Sequence, residues 1–368
     1  MVCYICIFCL ILINLASSTD IADHNRRSTS TCPCEDASLC EPIPPAKGKT
    51  RLAYSKEPGN WKYYDFTKIT EMVLFFDITE IDPEIVCVAH KYNVQLHLRG
   101  CFGNETFRNS TKQEKWIQEN LKLLTDYHLD GINVDYERPR IAQWEPQLVD
   151  FMVELSIRVR SMNSNYQLTY CLPTDPLLHY EMVTIPTVMD YLMIMDYDHV
   201  WDIHPNHCFA TANQQPMKTI FGLTKYMSLG IPPSKLVVGM PWYGYLYNCD
   251  NITSSGLCSL HNCPYINTRQ SIIPKIYENY VVNGNYEFIQ GWDNETVSPF
   301  LTIIPKDNID SFPRQFWYDN SVSLTRKAEI YKPFQIRGVG VFHVDCLDYT
   351  MDQSMVTAYW NFFTVFQD

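Results

Sequence analysis

Eight short apolar segments alternate with helical patterns along most of the chain, and this alternation constrains the fold more than any other feature. Short runs rich in β-branched and aromatic residues, bounded by turn signals, are typical of buried strands. Strands that alternate with helices form parallel sheets covered by those helices. The candidate strands are 51–55, 72–77, 94–99, 131–137, 167–172, 191–198, 236–242 and 338–344. Eight strands close a (β/α)8 TIM barrel, so the sequence predicts this α/β fold.

Helical patterns between the candidate strands support the same architecture. Thr111 and Glu114 form a capping-box pattern, and apolar residues recur at helical spacing behind them. A second apolar stripe runs over 148–162, and a third helical pattern over 219–229 ends at Gly230. We interpret these stripes as the sheet-facing sides of barrel helices.

Residues 245–316 interrupt the alternation of strands and helices. The segment follows the seventh candidate strand, where the loops of a barrel commonly build the functional face. It carries Cys249, Cys258 and Cys263. We therefore expect a disulfide-bearing insertion after the seventh strand, over that face.

The amino terminus has the pattern of a secretory signal peptide. Residues 2–15 are almost wholly apolar and lead into small residues that end at Ser18, and the run is short for a membrane span. We expect a signal peptide over 1–18, a polar, Cys- and Pro-rich segment over 19–50, and the barrel domain over 51–368. No basic residue precedes the apolar run, so an uncleaved anchor is the alternative. We expect no membrane association after cleavage.

Cysteine usage and glycosylation sequons also indicate the secretory route. The chain has 14 cysteines, a high number for a cytosolic protein. Cleavage after Ser18 leaves an odd number, so at least one thiol is free or pairs between chains. We expect the amino-terminal Cys32, Cys34 and Cys40 to form a disulfide staple. The N-x-S/T sequons are at Asn104, Asn109, Asn251 and Asn294.

The charge composition restricts the possible partners. The chain has 29 basic and 41 acidic residues, which gives a formal net charge of −12. A surface of this sign repels phosphates, so we expect no nucleic-acid partner. We expect the protein to be a monomer.

The segment 130–137, Asp-Gly-Ile-Asn-Val-Asp-Tyr-Glu, holds the residues that most plainly carry chemistry. Side chains alternate along a strand, so Asn133, Asp135 and Glu137 project to one face and three apolar residues to the other. In a barrel this places a polar row inside and an apolar row against the helices. Pro139 ends the strand just after Glu137, which predicts that Glu137 stands at the carboxyl-terminal mouth where barrel enzymes act.

The two carboxyl groups of this row indicate acid chemistry. Asp135 and Glu137 repel each other when both are charged, which keeps one of them protonated at neutral or mildly acid pH. We assign the proton to Glu137, because a general acid must carry one. The alternative is a solvated edge strand with alternating charge, and a polar row confined to one face disfavours it.

Segment 130–137 resembles the signature of family 18 glycoside hydrolases, D-x-x-D-x-D-x-E, with Asn133 in place of the usual second Asp. That Asn is usual in a lysosomal subfamily of the family, so Asn133 supports the resemblance. The other segments that resemble this subfamily are 32–43, 191–198, 241–245, 316–320 and 346–349. The resemblance implies a TIM barrel that hydrolyses β1,4 bonds between N-acetylglucosamine units, in the chitobiose core of Asn-linked glycans or in chito-oligosaccharides.

The resemblance also implies a retaining, substrate-assisted mechanism. Family 18 enzymes use the acetamido group of the substrate where other retaining glycosidases use a second carboxylate. Glu137 would protonate the glycosidic oxygen, and Asp135 would orient the acetamide and stabilise its developing positive charge. Tyr197 would donate a hydrogen bond to the acetamido oxygen. No cofactor is implied.

The remaining expected contacts with the sugar also follow from the resemblance. Aromatic rings pack on the apolar faces of pyranose rings. For Trp242 and Tyr243, a role in the barrel core is the alternative. The substrate-binding candidates are Asn133, Met195, Asp198, Trp242, Tyr243 and Phe342. Phe342 stands where the family usually has the Trp that floors the pocket, so the site is weakened or widened.

Two further departures concern strands three and six. Asp196 replaces a customary small residue, and by parity its side chain points away from the barrel interior, where we expect it to matter less. The third strand ends in Arg99-Gly100-Cys101, where chitinases commonly have a Ser and Gly pair, which argues against an ordinary chitinase groove.

Histidines and cysteines outside this row do not predict a second chemistry. His199, His204, His207 and Cys208 crowd one loop, but their spacing fits no common zinc pattern, so we expect no metal. We expect Cys101 and Cys171 to be inert thiols.

Three questions stay open at this point. The protein is expected in the lysosome, and secretion is the alternative. A chitinase or endo-N-acetylglucosaminidase acting on longer chains is the alternative enzyme. A weakly active or inactive chitin-binding lectin is the alternative outside catalysis, which the presence of both Asp135 and Glu137 disfavours.

Overall fold

The structure is a computed structural model that describes residues 31–137, 145–176, 181–202, 208–260, 268–282, 284–306, 312–350 and 352–367. The predicted signal peptide, His204, His207 and Cys263 lie outside the described residues. Among the described residues, no helix is both long enough and apolar enough to cross a membrane.

The described strands fall into a barrel and an insertion. In chain order they are β1 (Thr50–Ser55), β2 (Glu71–Leu74), β3 (Gln95–Cys101), β4 (Gly131–Asp135), β5 (Gln167–Pro173), β6 (Tyr191–Met195), β7 (Leu236–Pro241), β8 (Gly244–Asn248), β9 (Asn251–Ile252), β10 (Cys258–Ser259), β11 (Thr268–Ser271), β12 (Tyr286–Asp293), β13 (Ser298–Pro305), β14 (Arg314–Trp317) and β15 (Gly338–Phe342). The α-helices are α1 (Glu84–Lys91), α2 (Asn104–Phe107), α3 (Ser110–Asp126), α4 (Glu145–Met162), α5 (Glu181–Val188), α6 (Pro216–Ser228), α7 (Ile273–Ile276), α8 (Ser321–Tyr331) and α9 (Gln353–Asn361).

Strands β1–β7 and β15 form a closed barrel, in the order β1-β15-β7-β6-β5-β4-β3-β2. These are the eight strands that the sequence predicts, so the predicted TIM-barrel fold is confirmed. Strand β6 is shorter than predicted: it ends at Met195, and Asp198 has a left-handed φ of 63° that no strand continues.

The chain divides into two compact units. The first takes in the described residues of 1–47, 70–171 and 177–192, and the second those of 48–69, 172–176 and 193–368. In the first unit the parallel register pairs His97 with Gly131, and Gly131 with Gln167. Gly131 is required there, because a Cβ at this position would lie 2.4 Å from the Gln167 carbonyl oxygen.

The amino-terminal segment is fixed to the first unit by Asp130, the first carboxylate of the family signature. Asp130 is fully buried and accepts hydrogen bonds from the backbone N–H groups of Ile43 (2.9 Å) and Leu96 (2.7 Å). His90 Nε2 lies 2.9 Å from the Asp130 carboxylate, and its Nδ1 lies 2.6 Å from the Leu39 carbonyl oxygen. Asp130 is therefore a structural residue of the signature.

Disulfides hold the same segment. Cys32 pairs with Cys40, as a local staple, and Cys34 pairs with Cys87 on helix α1. The sequence predicts the staple, but not its link to α1, because nothing in a single sequence pairs cysteines that are 53 residues apart.

The second unit carries the insertion. Strands β8 and β11–β14 form an antiparallel five-stranded sheet in the order β11-β8-β14-β13-β12, which follows β7 in the chain. Its core contains Leu246, Ile276, Tyr280, Ile303 and Phe316. Cys249 pairs with Cys258. The predicted disulfide-bearing insertion after the seventh strand is thus present, and its sheet begins at Gly244 and ends at Trp317.

Candidate active site

Strand β4 in the first unit carries the polar row, and Asn133 is its fully buried first member. The Asn133 amide nitrogen donates a hydrogen bond to Thr169 Oγ1 (2.8 Å), and its carbonyl oxygen accepts one from the Cys171 thiol (3.3 Å). Both partners belong to β5. These bonds fix the orientation of the amide in the row.

Asp135 is the next member of the row and is only 7% exposed. Burial raises its pKa to about 6, although the nearby Arg99 and a hydrogen bond from the Cys101 thiol (3.8 Å) act in the opposite direction. Its second carboxylate oxygen, Oδ1, is buried and has no hydrogen-bond partner among the described residues. Asp135 is thus an acceptor that a donor on a ligand would satisfy.

Arg99 and Cys101 are neighbours of Asp135 that sequence reasoning did not place in the site. The register pairs Arg99 with Asn133 and Cys101 with Asp135, so both residues follow the polar row on the adjacent strand β3. The Arg99 guanidinium lies 4.9 Å from the centroid of the Phe75 ring. The pairing of β3 with β4 would have identified them. His97, Arg99 and Cys101 lie on one face of β3, and His97 pairs with Gly131 at the start of β4.

Glu137 lies two residues beyond the end of β4 and is half-buried. The residue before it, Tyr136, is anchored. Its ring stacks on Phe102 with 5.1 Å between centroids, and its hydroxyl donates a 2.5 Å hydrogen bond to Asn104. This anchor restricts the backbone between the two carboxylates of the motif.

Asp198 organises the candidates of the second unit. Its carboxylate accepts hydrogen bonds from the hydroxyls of Tyr243 (2.5 Å) and Tyr245 (2.8 Å), and burial raises its pKa even though these bonds oppose the shift. The Asn213 side chain accepts from the Asp198 backbone N–H (2.7 Å) and donates to the Tyr243 carbonyl (3.0 Å). Asp198 and Tyr243, two of the predicted site residues, are therefore in direct contact. The sequence did not predict a role for Tyr245 or Asn213 in this cluster.

Phe342 at the end of β15 is only 6% exposed. The Tyr197 ring stacks on it, with centroids 5.4 Å apart and planes 21° apart. The Tyr54 ring meets it edge-on at 5.7 Å, and the Lys56 ammonium lies 5.8 Å from its centroid. Tyr197 and Phe342 are therefore in direct contact, while Met195 is half-buried at the end of β6.

Trp242 is 2% exposed and lies in an aromatic cluster. Its ring meets those of Tyr359, Trp360 and Phe362 at 5.4, 5.4 and 6.4 Å. This environment is that of a core residue. The indole N–H has no hydrogen-bond partner in the described part of the chain, so one donor is still available.

A charged cluster that the sequence did not suggest follows Phe342. His343 Nδ1 lies 3.4 Å from an Asp345 oxygen, and His343 Nε2 lies 3.4 Å from the Cys346 sulfur. Burial disfavours the charged imidazole, but attraction to Cys346 and Asp345 outweighs it and raises the pKa of His343 to about 9. Asp345 also accepts hydrogen bonds from Tyr64 and from the backbone N–H of Lys56 (2.7 Å). The imidazole ring of His343, the residue after Phe342, is therefore cationic at neutral and acid pH.

The raised pKa of His343 predicts a dependence of stability on pH. A group whose pKa is higher in the folded state than in the unfolded state stabilises the protein fully below its unfolded pKa of about 6.5, and this contribution is lost as the pH rises through about 9. Compared with His343→Gln, the wild type should lose up to about 3 kcal/mol of unfolding free energy between pH 6 and pH 10. Urea unfolding of both proteins across this range measures it. A constant difference between the two would contradict the prediction.

The cysteines and the predicted sequons are placed as follows. Cys101, Cys171 and Cys346 form no disulfide with another described residue, whereas Cys208 is in a disulfide and so offers no thiolate to a metal. Asn104 begins α2, and the Asn109 side chain caps α3 by accepting from the Lys112 N–H (3.0 Å). Asn251 and Asn294 are exposed. Whether these four asparagines carry glycans stays a prediction.

Comparison with known proteins assigns the class. The model of the family "Glycosyl hydrolases family 18" matches residues 88–346. Di-N-acetylchitobiase of Mus musculus is 30% identical over 339 residues, which cover 89% of this chain and 90% of that protein. Di-N-acetylchitobiase of Homo sapiens is 28% identical over 337 residues, 87% of this chain and 84% of that protein. In fold, the chain is similar to the chitinase of Cycas revoluta in complex with (GlcNAc)3, with a TM-score of 0.66 and 16% identity over 85% of this chain and 99% of that one.

The chain therefore belongs to glycoside hydrolase family 18. It is a glycoside hydrolase, as its signature residues in segment 130–137 predict.

Proposed function

We propose that this protein hydrolyses the β1,4 bond between N-acetylglucosamine units, with the chitobiose core of Asn-linked glycans as its substrate. The similarity to di-N-acetylchitobiases over nearly the whole chain supports this substrate class. The single structural observation that carries the proposal is Asp135, a buried carboxylate with one oxygen that no described residue satisfies. An acetamide N–H is a donor of the kind this oxygen requires.

In the proposed reaction, Glu137 protonates the glycosidic oxygen as the C1–O bond breaks. The carbonyl oxygen of the 2-acetamido group bonds to C1 on the opposite face, and an oxazolinium ion forms. Asp135 accepts a hydrogen bond from the acetamide nitrogen and stabilises its positive charge. Water then attacks C1 as the bond between C1 and the acetamido oxygen breaks, Glu137 takes a proton from that water, and the anomeric configuration is retained.

We also propose binding groups for the sugar. Tyr197 donates a hydrogen bond to the acetamido oxygen, and Asp198 and Tyr243 bind sugar hydroxyls. Their support is geometric: the bonds through Asn213 hold Asp198 and Tyr243 in place before any ligand binds. Asn133, Met195 and Phe342 are further proposed sugar contacts, and the otherwise buried Trp242 would contribute only its indole N–H.

We place the activity in the lysosome after passage through the secretory pathway. The disulfides of the described residues suit a chain that folds in an oxidising compartment. An acid lumen also protonates part of the 41 acidic groups and reduces the repulsion of a chain with net charge −12.

Substrate tests distinguish this proposal from its alternatives. Purified protein is incubated at acid pH with chitobiose, longer chito-oligosaccharides and a freed high-mannose glycan, and the products are separated by size. We expect N-acetylglucosamine from chitobiose and from the core of the freed glycan. Cleavage confined to the interior of longer chains would indicate a chitinase or endoglycosidase, and binding without any product would indicate a lectin.

A further inference from the structure

A groove lies between the β12–β13 hairpin and helix α8 in the second unit. Its volume is about 400 Å³, which falls in the range of pockets that hold small ligands. The lining residues are Trp292, Asn294, Val297, Arg326, Glu329 and Ile330. We call it the hairpin groove. It is separate in sequence from every residue of the proposed catalytic machinery.

The turn of the hairpin is held rigidly. Strand register pairs Asp293 with Ser298, which leaves residues 294–297 as the turn. One Asp293 oxygen accepts hydrogen bonds from the Thr296 backbone N–H (2.8 Å) and from its hydroxyl (2.6 Å). Asn294 is exposed within this turn, so its side chain is presented in a restricted position at the edge of the groove.

Trp292 provides an aromatic surface two residues before Asn294. Its ring is half-buried, and the Arg326 guanidinium lies 5.2 Å from its centroid. Arg326, Glu329 and Ile330 share one face of α8, because they are three or four residues apart. An aromatic face beside a donor and a carboxylate is suited to a sugar, whose ring is apolar on its faces and polar at its edge.

We propose that the hairpin groove is occupied by the first N-acetylglucosamine of a glycan attached to Asn294 itself. Asn294-Glu295-Thr296 is a sequon, and Asn294 is also one of the lining residues. A sugar bonded to the wall of a groove binds there without the entropy cost of bringing two molecules together. The proposal does not rest on the proposed glycosidase activity.

The attachment is ordinary oligosaccharyl transfer from a lipid-linked diphosphate donor. The Asn294 amide nitrogen bonds to C1 of the sugar, the bond from C1 to the diphosphate oxygen breaks, and the amide nitrogen loses one proton. The lipid diphosphate is the leaving group. No oxidant or reductant takes part.

Asn251 is a matched control within the same unit. It is also exposed in a sequon and lies on a short hairpin, formed by β9 and β10. The residue two positions before it is Cys249, which is bonded to Cys258 and offers no aromatic surface. A glycan at Asn251 should therefore extend into solvent.

The experiment compares glycoforms of the full chain secreted from eukaryotic cells. Peptide mapping first establishes occupancy at Asn294. One sample is trimmed by an endoglycosidase that leaves a single sugar, and another is fully deglycosylated by an amidase. We expect the single-sugar form to have the same melting temperature as the untreated protein. Loss of that sugar, or Asn294→Gln, should lower the melting temperature by roughly 1–3 °C. Asn251→Gln should leave it unchanged.

A second comparison assigns the effect to the aromatic surface. In Trp292→Ala, complete removal of the Asn294 glycan should no longer change the melting temperature, because the sugar has lost its platform. Three results would each overturn the proposal: an unmodified Asn294 in the secreted protein, equal melting temperatures with and without the last sugar in the wild type, or an undiminished loss in Trp292→Ala. Hydrolysis of chitobiose should be the same in all glycoforms, so a failure here is distinct from a failure of the proposed activity.

Discussion

Replacing Glu137 with glutamine should reduce release of N-acetylglucosamine from chitobiose by roughly 10²- to 10⁴-fold. The amide has the size of the carboxyl group but no proton to give to the glycosidic oxygen. Glu137 is half-buried beyond the end of β4, and the adjacent Tyr136 fixes the local backbone through Phe102 and Asn104. The fold should therefore be preserved, as circular dichroism and thermal unfolding would show.

The kinetics of this variant test the assignment in a second way. Loss of a general acid lowers kcat while substrate binding is retained, so the variant should still bind chitobiose with an affinity close to that of the wild type. Glu119→Gln, an amide substitution at a side chain that is 60% exposed on helix α3, is the matched control and should keep full activity. Turnover by Glu137→Gln near the wild-type rate would remove Glu137 from the acid role.

The barrel and the β4 row were accessible from the sequence because both depend on local periodicity. Alternating strand and helix patterns are enough to count eight strands. Parity is enough to place Asn133 and Asp135 in one row, and the hydrogen bonds of Asn133 to β5 agree with that placement. The ends of the strands were less accessible. Strand β6 ends at Met195, and the chain then turns at Asp198, whose φ is left-handed. No residue type in this segment requires that turn.

Contacts between distant segments were not accessible from the sequence. Arg99 and Cys101 approach Asp135 only through strand pairing, and Cys34 reaches Cys87 only in the folded unit. The surroundings of Asp196 also depend on such contacts, and the expectation that it matters less to the site stays a prediction. Its side chain is fully buried, and it accepts hydrogen bonds from Gln214 (2.6 Å) and Thr219, which come later in the chain.

Replacing Asp135 with asparagine should lower the rate of hydrolysis and raise stability at neutral pH. The amide cannot carry the negative charge that stabilises the oxazolinium ion, so we expect a loss of roughly 10²- to 10³-fold in kcat. An amide is tolerated in this row, because Asn133 already occupies the preceding position of the same face. Steady-state kinetics with chitobiose at pH 7, above the raised pKa of the wild-type Asp135, measure the loss.

The gain in stability follows from the raised pKa of Asp135. Burial raises this pKa from 3.8 to about 6, so the folded state favours the protonated form, and the wild type loses stability as the pH rises from about 3.8 to about 6. At pH 7.5 the variant, which never ionises, should be more stable by up to about 3 kcal/mol, since each pKa unit corresponds to about 1.4 kcal/mol. At pH 3.5 the two proteins should be nearly equal. Urea unfolding at both pH values provides the comparison, and a variant less stable than the wild type at pH 7.5 would contradict it. Lower activity together with higher stability would mean that the buried charge is maintained for catalysis at a cost to folding.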